Sequence, residues 1–368
     1  MSSLNPDKLI DRHEAFLACQ RVSRPLVGFW LGGYYPAEQF AGGVTAWCEG
    51  QELRPDDVSF ARFTSDYERL YEIHRLAPDD FFYVASAYWG IPWLEAVLGC
   101  RVFAGKETTW AQSCLETAEL VPPILFNLDT NPWWQCLQDF TRKLVTFSAG
   151  RFPVCPPLLR GPGDALSAML GPMNYVTAFI DMPEAMRNWL NHISDLRVEI
   201  IRRLNTIILS WHGTYVAGGY PSKVWSKRPV AYNQEDSVAL LNPGLFTEFL
   251  LPCERRQCQA AKVYFIHLHS ACLYPVDILL NESCYDVLEI NVDHEGVALS
   301  LISLLPVLQK IQKAGRPLLL WGRFSQEDII LFRGGLSPMG LSIQPIVENI
   351  EQAHEFWQAL CLKPWHQL

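Results

Sequence analysis

No stretch of this chain approaches the roughly 20 uninterrupted apolar residues that a membrane-spanning helix needs, so no such span is expected. Positive charge is also scarce: 30 Lys and Arg stand against 39 Asp and Glu, a net charge of -9. That balance offers no general attraction to phosphate backbones or anionic lipid, which argues against nucleic-acid and membrane partners and for a small-molecule one. The first residues, Met1-Ser-Ser-Leu-Asn-Pro-Asp-Lys8, lack a basic segment followed by an apolar run. The expectation is a cytoplasmic protein. Paired cysteine motifs are missing too: the 11 cysteines are odd in number and scattered, without CxxC. Reduced, mostly buried thiols are expected, not a disulfide framework or a zinc knuckle.

What is present is apolar material in quantity. With 49% hydrophobic and 19% charged residues over 368 positions, the chain can bury a large core. Its most informative stretches are Val263-Tyr-Phe-Ile-His-Leu-His-Ser-Ala-Cys272 and Val287-Leu-Glu-Ile-Asn-Val-Asp293. Each reads as a short strand with one aliphatic parity (Ile266, Leu268; Leu288, Ile290, Val292). The other parity turns polar toward the C-terminal end, with His267 and His269 on the first and Glu289, Asn291 and Asp293 on the second. The segment 277–284 between them has the length of a brief crossover helix, which would set the two strands side by side and parallel. Two imidazoles on one face are costly to bury unless acids, a metal or a ligand satisfy them. His267, His269, Glu289 and Asp293 are therefore the candidate catalytic residues.

Six further strand candidates lie at 26–31, 81–86, 152–159, 211–217, 317–322 and 340–345. Helical periodicity surrounds them at 8–20, 66–76, 132–148, from Pro183 onward, from Asn242 to Lys262, and at 297–314, 326–332 and 346–360. Strand and helix alternate without a repeat or a Gly/Ser linker, and the first strand–helix turn has no GxGxxG. The pattern points to an α/β fold, a single (β/α)8 TIM barrel domain over residues 1–368 with an N-terminal helical extension, more than to an open dinucleotide-binding sheet. Polar and aromatic residues after strand ends are candidates for walling a substrate pocket, or for ordinary core: Tyr34, Tyr35, Trp89, Trp93, Glu95, Tyr220, Trp225 and Asn291.

At this level the chain resembles the uroporphyrinogen decarboxylase superfamily, which also holds cobalamin-dependent methyltransferases. The resembling residues are Trp30 to Tyr35, Trp93 to Cys100, Leu159-Arg-Gly-Pro162, Asp236 with Leu241 to Phe246, Ile266-His-Leu-His269 and Gly335 to Ser342. The resemblance implies one TIM barrel with its site at the strand C-termini, and a homodimer. It departs from the porphyrinogen decarboxylases, whose arginine motif after the first strand is here Leu31-Gly-Gly-Tyr-Tyr35. Their aspartate after the second strand is replaced by Ala85-Ser-Ala-Tyr88, and their tyrosine after the Gly-Pro turn falls near Ala168. Zinc methyltransferases of the family carry His-x-Cys on the fifth strand and a later Cys. This chain has His267-x-His269 and, later, Met339-Gly-Leu-Ser342.

The resemblance implies an enzyme that moves a methyl group from a small O- or N-methyl compound to a corrinoid (cobalamin) held by a carrier protein. Zinc would sit on His267, His269 and a third ligand that is missing from the family's place for it; apart from the resemblance, Cys272 is the expected substitute, with Glu289, Asp293 and Glu95 as alternatives. Two alternatives stand beside it. One is decarboxylation of a porphyrinogen or another small acid, with the His pair and a carboxylate handling protons; the other is a non-catalytic barrel that binds a tetrapyrrole, corrinoid or small molecule.

Overall fold

The structure is a computed structural model that describes residues 6–118, 127–217, 224–293 and 300–365. Its centre is a six-stranded, wholly parallel sheet in which Leu26–Val27, Leu341–Pro345, Leu318–Gly322, Val287–Val292, Val263–His269 and Val230–Gln234 lie in that spatial order. The connections between successive strands carry helices, among them Pro243–Leu245 with Leu251–Gln257, Pro275–Leu279, Leu301–Lys313 and Gln326–Gly335. A mixed α/β architecture follows. Among the described residues, no helix is long and apolar enough to cross a membrane.

Strand parity divides the core into two layers. Ile266, Leu268, Leu288, Ile290, Leu318, Leu320 and Ile343 pack on one face of the sheet against helical residues such as Leu304, Leu308, Ile311, Phe332 and Phe356. The opposite parity, Leu26, Trp30, Val230, Tyr232, Val263, Phe265, Val287, Leu319 and Trp321, forms a second cluster joined by Phe81. Burial on both faces explains why these strands read as nearly continuous apolar runs.

Three of the expected strands come out differently. Segments 81–86 and 152–159 make no ladder; one parallel bridge, Ala85 with Val154, joins them. Pro153, Pro156 and Pro157 have no N–H to give, so few rungs are available. Isolated backbone bonds remain: Ala85 N–H to Pro153 O (3.1 Å), Cys155 N–H to Ala85 O (2.9 Å), Asp80 N–H to Val27 O (2.8 Å) and Gly161 N–H to Gln234 O (2.6 Å). The expected strand at 211–217 is instead the first arm of an antiparallel pair, Tyr215–Ala217 with Val224–Ser226, apart from the large sheet. The parallel strand in that part of the chain is Val230–Gln234, outside the segments whose pattern predicts strands. Elsewhere the helical periodicity is realised closely, as in Pro132–Ser148, capped by the Asn131 side chain, and Pro183–Ile207, with Pro in its first turn.

Candidate metal centre

The two strands that carry the histidines are paired so that His267 lies opposite Glu289 and His269 opposite Asn291. Register alone therefore brings acid to imidazole. His267 Nδ1 is 2.7 Å from Glu289 Oε1, and His269 Nδ1 is 2.7 Å from Asp293 Oδ1. Asp293 is held in turn by Ser270 Oγ–H (3.0 Å) and Ala271 N–H (3.2 Å) on its Oδ2, while its own N–H donates to Ser270 Oγ (2.9 Å). Asn291 Nδ2 lies 3.4 Å from Asp293 Oδ1 and from His269 Nδ1.

Carboxylates at both Nδ1 atoms fix the protons there. Each neutral ring then presents a bare Nε2 lone pair, and the two Nε2 atoms face each other at 3.2 Å. A third acceptor joins them from the end of the Val230–Gln234 strand: Asp236 Oδ1 lies 3.4 Å from His269 Nε2 and 3.9 Å from His267 Nε2. This oxygen is inaccessible and makes no hydrogen bond of ordinary geometry, while Gln234 Nε2–H donates to the other one, Oδ2. Asp236, His267 and His269 are the group among the described residues whose donor atoms converge as metal ligands do.

Three acceptors aimed at one point repel unless a cation lies between them. Donors bound at 2.0–2.1 Å around a tetrahedral ion sit about 3.3–3.4 Å apart, close to the separations here. The donor set of two imidazoles and a carboxylate, each imidazole braced by a carboxylate behind it, fits zinc or a similar divalent ion. Without metal, a proton does the same work. Burial alone would lower the pKa of His269, but Asp236 and Asp293 raise it to about 10. Burial pushes Asp236 up, yet the two imidazoles and Gln234 hold it below the usual carboxylate range. Glu289, wholly buried, is raised by burial against the pull of His267 and the Trp321 indole.

A second charged group adjoins Asp236. Glu95, fully buried on the Trp93–Val97 helix, pairs with Arg160 at 2.5 Å. Asp164 accepts the Ser237 N–H at 2.6 Å, and Glu235 accepts N–H from Gly163 (3.3 Å) and Asp164 (3.1 Å) at the start of the Pro162–Leu170 helix. The Gly-Pro-Gly turn is required by this approach: a Cβ on Gly161 would lie 2.1 Å from Glu235 Oε1.

The remaining expected site residues are dispersed. Tyr34 packs beside Tyr35 and beneath the Arg323 guanidinium, and borders the inner cluster together with Trp89, whose indole N–H donates to Gln39. Trp93 is wholly buried in the helix-packed apolar cluster against Trp133, so it is not a pocket wall. Trp225 stacks on His13 and Phe82 in a separate cluster with Trp211. Tyr220 lies outside the described residues. Cys272 is not among the converging donors; it follows His269 in a turn and packs against the helix-packed apolar cluster. Asp236 takes the place expected of it. The signal for Asp236 was in the sequence: Val230, Tyr232, Gln234 and Asp236 follow the same apolar-to-polar parity as the His strand, obscured by the apolar run at 211–217. No protein-family model and no curated protein matches the chain.

Proposed function

We propose that the chain is a divergent uroporphyrinogen decarboxylase-like (β/α)8 barrel, a zinc enzyme that removes a methyl group from a small O- or N-methylated compound and delivers it to a corrinoid on a partner protein. The barrel reading is supported by the isolated bonds that link 26–27 to 80, 85 to 153–155 and 161 to 234, which would complete a ring of eight through the two proline-rich or irregular segments. Its expected site position, the C-terminal ends of parallel strands, is where Asp236, His269 and Asp293 fall.

The observation that carries the metal reading is the convergence of Asp236 Oδ1 and the two Nε2 atoms, with a carboxylate behind each ring. Bound there, zinc supplies Lewis acidity and lowers the pKa of a coordinated group. The protein's residues do the rest. Glu289 and Asp293 keep both rings in the Nδ1–H tautomer and fix their planes; Asp236 offsets one unit of positive charge. Trp321, 5.9 Å from His267 between ring centres, and Tyr232 screen the inner side from water.

Elemental analysis tests this first. The expected result is about one zinc per chain in the wild type, lost in H267A, H269A and D236A. Transfer of methyl groups to added cob(I)alamin, kept reduced by titanium(III) citrate without oxygen and followed by absorbance over a panel of methylated compounds, tests the second half. A zinc-free wild type removes the metal reading. A second reading, decarboxylation of a small acid, is favoured by the raised pKa of His269, which keeps a proton ready for a developing carbanion at neutral pH. Carbon dioxide release that persists after chelation would select it.

A further inference from the structure

The geometry points to Arg160 as the anchor for a carboxylate on the substrate, so that the methylated compound is a small acid; this rests on the metal centre proposed above and names its substrate class. Arg160 follows the 152–159 segment, and its backbone is pinned on both sides. The Leu159 carbonyl accepts from Arg197 Nε (3.2 Å) and Nη2 (3.0 Å), while Gly161 N–H donates to Gln234 O at 2.6 Å. Its head is pinned too, by Glu95, at 2.5 Å. Among the described residues the Glu95 carboxylate makes no other polar contact, and it has no exposure, so orienting Arg160 is its one evident task.

A guanidinium carries five N–H donors, and Glu95 engages only part of that fork. The side chain remains 34% exposed, and none of its nitrogens is both inaccessible and unbonded. The nitrogens that Glu95 does not engage are therefore within reach of solvent. The Gly161 N–H bond to Gln234 O also sets Arg160 against the strand end that carries Asp236, the carboxylate member of the converging trio. A fixed fork facing solvent beside a metal centre matches the planar, bidentate geometry of a carboxylate.

Binding of 3-mercaptopropionate, mercaptoacetate and 2-mercaptoethanol to the full-length protein as purified, measured by titration calorimetry, tests the assignment. All three present a thiol to the centre, but only the first two carry a carboxylate. At least one acid is expected to bind about ten- to hundredfold more tightly than the alcohol, the worth of a charge-assisted hydrogen bond. That preference should vanish in R160Q and be partly kept in R160K, with zinc content unchanged in both. Because R160Q leaves Glu95 buried without its partner, the E95Q/R160Q double variant is measured beside it and should also show no preference. Equal affinity for acids and alcohol in the wild type, or a preference that survives in R160Q and the double variant, overturns the assignment. Absence of zinc from the wild type counts against the metal centre alone, since the comparison between acid and alcohol still decides what Arg160 does.

Discussion

His267 and His269 turn their Nε2 atoms toward each other across 3.2 Å while the Nδ1 of each is held by a carboxylate at 2.7 Å. Two lone pairs so placed, with Asp236 Oδ1 as a third acceptor, define a site whose state depends on which cation is between them. At neutral pH and low metal, the proton that Asp236 and Asp293 keep on His269 occupies it. A divalent ion must displace that proton, so metal affinity should rise with pH.

The carboxylates behind the rings should tune that affinity without touching the ion. E289Q keeps an acceptor for His267 Nδ1–H but removes the charge that strengthens the ring as a donor to metal. D293N does the same for His269 and also replaces the acceptor shared by Ser270 and Ala271. Each is expected to weaken zinc binding about 10- to 100-fold, read by competition with a chromogenic chelator. Unchanged affinity in both would mean that the acids serve the fold and not the ion.

Asp236 and Cys272 make opposite predictions about the third ligand. D236N should lower zinc affinity by more than about tenfold, the loss of an anionic donor, while C272A leaves it at the wild-type value. Retention in D236N with loss in C272A would require the turn after His269 to rearrange, and would restore the cysteine expected from the sequence.

These residues also mark how far the sequence can be read. The period-two alternation after Val263 and Val287 brought His267, His269, Glu289, Asn291 and Asp293 onto one face, and strand register then decided their contacts. Asp236 carried the same signal and was lost because an apolar run at 211–217, with two residues between its last aromatic and a glycine pair, looked the better strand. Trp93 and Trp225 show the reverse error: an aromatic after a strand end is apolar first, and both found apolar partners. Arg160 has no local signature, since its meaning depends on a buried acid 65 positions earlier, Glu95.

Acid stability should depend on His13. This ring is wholly buried, accepts the Trp225 N–H at Nδ1 (3.2 Å) and donates from Nε2 to the Asp80 carbonyl (3.1 Å), so the neutral form satisfies both nitrogens. Burial lowers its pKa to about 4, against the partial support of the Asp80 charge and with Arg12 adding to the fall. The unfolded chain, with a pKa near 6.5, binds the proton first as pH drops. Stability is therefore full above about pH 6.5 and is lost toward pH 4. Between pH 7 and 5 this single group should remove about 2 kcal/mol. Urea unfolding of wild type and H13Q at both pH values checks it: the wild type should lose that much more than H13Q, and equal losses would assign the acid sensitivity elsewhere.

Arg197 should matter more to folding than any exposed ion pair. Only 1% exposed, it ties three chain segments by donating to Leu159 O, to Tyr232 O at 2.5 Å and to Gln257 Oε1 at 2.6 Å. R197M matches its bulk and removes every donor, leaving those acceptors buried and unpaired, with an expected loss of about 3–5 kcal/mol. R197K restores the charge but not the planar fork that reaches Leu159 and Tyr232 together, so it should recover only part of the loss. The urea midpoint should fall in the order wild type, R197K, R197M at a constant slope. The same order should appear in the acid-over-alcohol preference assigned to Arg160, because Arg197 fixes the carbonyl immediately before it. A stability loss with that preference intact would separate the two arginines, leaving Arg197 as a structural tie and Glu95 alone as the residue that aims Arg160.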